Sequence, residues 1–113
     1  MSLEQLARQA GRAIAATAQF RELVAAEKVF EADREARELV RIAQEDGERL
    51  LKIKSSGAEF SEKDQRQIVE VQAKISVNSS IQNLINAQRA YDALVQQVNG
   101  WVQAEVTEQR KNA

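Results

Sequence analysis

The side chains able to do chemistry here are carboxylates and guanidiniums, because the sequence has no histidine and no cysteine. That removes the commonest general base and metal ligand. It also removes thiolate metal sites, thiol nucleophiles and disulfides. The remaining groups crowd into Glu31-Ala32-Asp33-Arg34-Glu35-Ala36-Arg37-Glu38, with Arg41 and Glu45 beyond. The carboxylates Glu31, Asp33, Glu35 and Glu38 raise the question of a metal. A carboxylate site in a helical bundle draws on Glu-x-x-His motifs, which this chain cannot supply. A hydrolytic pair needs two carboxylates in a cleft with their acidities pushed apart, and these four read as exposed. The sequence therefore predicts no enzyme, no metal and no cofactor. Arg34, Arg37 and Arg41 lie along one side of a helix and could hold RNA phosphates. Glu31, Glu35, Glu38 and Glu45 interleave with them and oppose that field, and no aromatic sits among them to stack a base. With 16 basic and 17 acidic residues, the net charge of −1 gives no general attraction for nucleic acid. Protein binding is the preferred reading; direct RNA binding through this basic face and a purely structural dimer are the alternatives.

The elements that would position these groups are helices. The chain has 113 residues, no proline and four glycines, so few, long helices joined by short turns are expected in one domain. Leu3, Leu6, Ala10, Ala13, Ile14 and Thr17 form a narrow stripe of helical spacing. Phe20, Leu23, Val24 and Phe30 continue it in a shifted phase. A bend or break near Thr17–Gln19 explains the shift, and one bent helix or two are both compatible with it. Asp33 is an N-cap candidate for a helix over 34–54, with Glu35 in its first turn, where the helix dipole favours negative charge. Ala36, Leu39, Ala43, Leu50 and Ile53 form its seam. Asp46-Gly47 interrupts that seam and reads first as a solvated notch opposite a small residue, with a hinge or a partner-contact notch as the alternative. Gly57 is suited to the left-handed conformation that ends a helix. Ser61-Glu62-Lys63-Asp64 resembles a capping box with Asp in the last place. Ile68, Val71 and Ile75 make the seam of the next helix, which should run antiparallel to its predecessor. Glu45/Arg49, Glu48/Lys52, Glu62/Arg66 and Glu70/Lys74 are spaced as i,i+4 ion pairs on solvated surface.

The stretch from Asn78 to Val106 dominates the chain. Ile81, Leu84, Ile85, Tyr91, Leu94, Val95, Val98, Trp101, Val102 and Val106 recur in steps of three and four, one stripe of a helix. At about 1.5 Å per residue it would run on the order of 40 Å. Such a helix must bury its stripe against other helices, in its own chain or in a second copy. Tyr91, Leu94, Val98, Trp101 and Val102 are the candidate interface; Trp101 suits core packing and an interface anchor equally, and Tyr91 also suits the core with its hydroxyl at the edge. The polar tail, 107–113, is expected to fray. No run approaches the length of a membrane span and no leader pattern opens the chain, so a cytoplasmic location is expected. The expected fold is all-α, an antiparallel helical bundle of long helices completed by dimerisation.

Several segments resemble the bacterial YlbF/YmcA/YheA family of small helical proteins. Leu6-Ala-Arg-Gln-Ala-Gly11-Arg-Ala-Ile14 is similar to the family's opening helix. Ala32-Asp33-Arg34-Glu35-Ala36-Arg37-Glu38-Leu39 is close to its A-D-P-E-A-x-x-L segment. Asn78-Ser79-Ser80-Ile81 corresponds to its N-P-x-I entry into the last helix, and Val98-Asn99 to a V-N near the end. Arg34 and Ser79 replace prolines at first-turn positions, where proline is favoured but dispensable. Some relatives act in a complex carrying iron–sulfur clusters held by cysteines, and this chain has none to offer. The resemblance implies a cytoplasmic, non-enzymatic, dimeric regulator that binds other proteins. The best-known relatives modulate an endoribonuclease, and through it mRNA processing, biofilm formation, competence and sporulation.

Overall fold

Helix boundaries fall where capping side chains stand. The computed structural model describes all residues, Met1–Ala113, in five helices with no strand. These are α1 (Leu3–Ala15), α2 (Ala18–Ala32), α3 (Arg34–Ser56), α4 (Glu62–Val77) and α5 (Ser79–Lys111). Ser2 opens α1 in a reciprocal capping box with Gln5. The first helical pattern is thus two helices, parted at Ala16–Thr17. The Thr17 hydroxyl donates to the Ile14 carbonyl at 2.6 Å and accepts from the Phe20 N–H at 3.3 Å. One side chain thereby serves the last turn of α1 and the first turn of α2. Asp33 caps α3 by accepting from the Ala36 N–H at 3.0 Å. Gly57 ends α3 at φ 76°, a conformation in which a Cβ would be strained. Ser61 accepts from the Asp64 N–H at 3.1 Å, and Asn78 accepts from the Ile81 N–H at 3.0 Å.

The contacts divide the chain into two units. One comprises residues 27–84 and is built on the antiparallel pair α3 and α4. Its core is Ala36, Leu39, Val71 and Ile81, with Phe30, Val40, Ile42, Ala43 and Ile75 packed around it. Ala36 and Leu39 are one helical step apart on α3, and Val71 and Ile75 occupy the facing positions of α4. The small Ala36, fully buried, lets neighbouring elements approach closely.

Polar cross-links continue this seam toward the α3–α4 turn. The Gln67 Nε2 donates to Asp46 Oδ1 at 3.1 Å, and Arg49 Nη2 donates to Asp64 Oδ1 at 2.5 Å. A notch is present beside exposed Gly47, but the Asp46 side chain is buried rather than solvated. Its hydrogen-bond partner lies 21 residues away on α4, which local spacing could not reveal. Of the four i,i+4 pairs anticipated, Glu70–Lys74 forms, at 3.3 Å. Arg49 instead reaches across the hairpin to Asp64, and Glu45 pairs with Arg41 at 2.6 Å.

The other unit comprises residues 1–26 and 85–113. Leu23 is its buried side chain. The Phe20 and Tyr91 rings lie 6.2 Å apart, tilted by 52°, within the range for favourable aromatic pairs. The helical conformation of α5 extends past Thr107 to Lys111.

Candidate protein-binding surface

Amphipathic helices present their apolar stripe to whatever covers it. Along α5 the buried residues are Ser80 and Ile81, at its start. Beyond them the stripe grades from half-buried to open. Tyr91 is half-buried against Phe20. Leu94, Val95 and Val98 are also half-buried. Trp101 is 60% exposed, Val102 54% and Val106 48%. The five candidate interface residues therefore differ in situation. Tyr91 has an aromatic partner in its own chain, Leu94 and Val98 are partly covered, and Trp101 and Val102 stand in solvent. In the same unit Leu3 and Leu6 of α1 are also exposed. Leu3 and Leu6 could not be told from core residues by pattern alone, because their spacing is the same as that of core positions.

Electrostatics around Asp33–Glu45 are those of a paired surface. Arg41 donates to both Glu38 and Glu45. This holds the Glu38 carboxyl below its ordinary pKa and the Arg41 guanidinium above its own. Asp33 is also held below its ordinary value, first by the Ala36 N–H and then by the Ser80 and Asn78 side chains. Arg34 and Arg37 are exposed and form no salt bridge. Arg34 borders a shallow groove with Glu35, Glu38 and Lys74 over a floor of Leu39 and Ile42. That mixture of signs supplies no continuous cationic track for a phosphate backbone. No three acidic side chains converge in a way that could hold a metal ion. No helix is long and apolar enough to cross a membrane.

Residues 3–107 match the family described as control of competence regulator ComK, YlbF/YmcA. The chain belongs to this family. Among solved structures it is similar to RicA of Bacillus subtilis, determined in complex with RicF. The two are 16% identical over 95% of each chain, with a TM-score of 0.83. It is also similar to a DUF964 protein of unknown function from Bacillus stearothermophilus. That pair is 22% identical over 94% of this chain and 93% of the other, with a TM-score of 0.67. Comparison with curated proteins gives no significant match. At these identities the structural likeness carries the fold, and the YlbF/YmcA assignment rests on the family match along nearly the whole chain.

Proposed function

We propose that this YlbF/YmcA-family chain is a non-enzymatic, cytoplasmic regulator that works by binding proteins. Its exposed α5 stripe is covered by a second copy of itself, and the resulting dimer engages further partners. The observation that carries this reading is the open end of α5. Thirty residues of helix follow Ile81 without a buried side chain, and Trp101 lies 60% exposed among Val102 and Val106. A large aromatic beside aliphatic residues is the composition of an interface centre. Support for protein partners comes from the family assignment and from RicA, which was determined in complex with RicF. Action on RNA processing through an RNA-decay enzyme is the finer part of the proposal, suggested by the family resemblance. The test is affinity capture with the tagged full chain from its native cell, alongside a Trp101→Asp variant of the same helical content. Recovery of an RNA-decay enzyme by the wild-type chain and its loss with the variant are expected. Equal recovery by both would reject this surface. Recovery by neither would reject the RNA-processing role.

A further inference from the structure

Asp46 occupies a seam position of α3 that its neighbours fill with aliphatic side chains. It is only 6% exposed. Its Oδ1 accepts from Gln67, while its Oδ2 is buried with no hydrogen-bond donor. A buried carboxylate oxygen without a donor is costly. Beside it a half-open notch of about 150 Å³ is walled by Ala43, Gly47, Leu50, Ile68, Val71 and Gln72. That is room for more than a single water. At Gly47 an added Cβ would meet no atom within 4 Å. The glycine weakens its helix without admitting any group of its own chain. Asp46 forms no salt bridge, and Arg49, one turn further along α3, is committed to Asp64.

We propose that this notch receives one basic side chain, arginine or lysine, from a protein partner. The apolar walls suit the methylene stem, and the carboxylate at the end suits the cationic tip. Oδ2 is closed to solvent in the free chain, so reaching it takes a turn about the broad χ2 torsion of Asp46, with Gln67 re-forming its bond to the turned carboxylate. The oxygen left without a donor calls for one, and a guanidinium or ammonium supplies N–H groups that make the stronger, charge-assisted bond to a carboxylate. That the cation arrives on a protein rests on the function proposed above. The notch itself belongs to α3 and α4 and shares no residue with the Trp101 surface.

The test is amide NMR of the full chain titrated with n-propylguanidinium chloride, with n-propylurea as the neutral isostere. The guanidinium should shift the Ala43, Gly47, Leu50 and Ile68 amides saturably at millimolar concentration, as one side chain of a larger interface would. Propylurea should bind at least about tenfold more weakly. Asp46→Asn, which can keep the Gln67 bond, should lose the same factor. Gly47→Leu should fill the notch and abolish the shifts while the melting curve shows a folded protein. Equal binding of the two probes, or no saturable shift, would overturn the proposal. Micromolar binding of the free cation would make this a small-molecule site and overturn the partner assignment. Concentration-dependent shifts of the same amides without probe would identify the occupant as a second copy, with the same consequence. Failure of the chain to dimerise through α5 would leave all these readouts unchanged, so the two readings fail separately.

Discussion

Gly47 and Gly57 lie ten residues apart and should respond to alanine in opposite directions. Gly47 is inside α3 with helical backbone, and a Cβ there meets nothing within 4 Å. Gly57 also has open space around it, but its φ is 76°. Gly47→Ala removes the entropy that a glycine loses on entering a helix, and should stabilise the chain by about 0.5–1 kcal/mol. For a domain of this size, that raises the melting temperature by roughly 2–6 °C. Gly57→Ala forces a Cβ into the left-handed region and should cost about 1–2 kcal/mol. The sites share no neighbour, so the double variant should equal the sum within about 0.5 kcal/mol. Urea titrations followed by far-ultraviolet circular dichroism give these values, with unchanged slope as the check on two-state behaviour. A destabilised Gly47→Ala variant would refute the reasoning, because it would mean that the space beside Gly47 is filled in the free protein.

Two further outcomes follow from the core and the caps. Leu39→Ala empties a buried position between α3 and α4, and should cost about 2–4 kcal/mol in the same urea assay. Asp33 is held below its ordinary pKa by its cap hydrogen bonds. Its contribution is therefore full above the unfolded-state value near pH 4 and is lost as pH falls through the lower folded-state value. Asp33→Asn keeps a good capping side chain, so its acid limb should be flatter than that of the wild type, read as urea midpoint against pH.

Helix ends were the most legible part of the sequence, because capping is local. Asp33, Gly57, Ser61 and Asn78 each act on groups within a few residues, and each stands where its type and spacing placed it. The break between α1 and α2 was legible as a change of phase, whereas its position depended on which groups the Thr17 hydroxyl chose. A notch at Asp46-Gly47 was legible, but the burial of the Asp46 side chain was not, because its partner Gln67 belongs to another helix. The same holds for Arg49, whose bond to Asp64 displaces the local pair with Glu45. The family resemblance, carried by cap and core segments, agreed with the family match over residues 3–107. On α5 the periodicity identified a stripe, but a stripe covered by its own chain and one left open have the same spacing. Only the fold separates Tyr91, set against Phe20, from Trp101, standing in solvent.

The claim that a second copy covers the distal stripe of α5 is tested most directly by light scattering on the purified protein during size exclusion. The account predicts a particle of twice the 12.7 kDa chain mass, and conversion to a folded single chain by Trp101→Asp. A wild-type protein that stays a single chain across the accessible concentration range would contradict it.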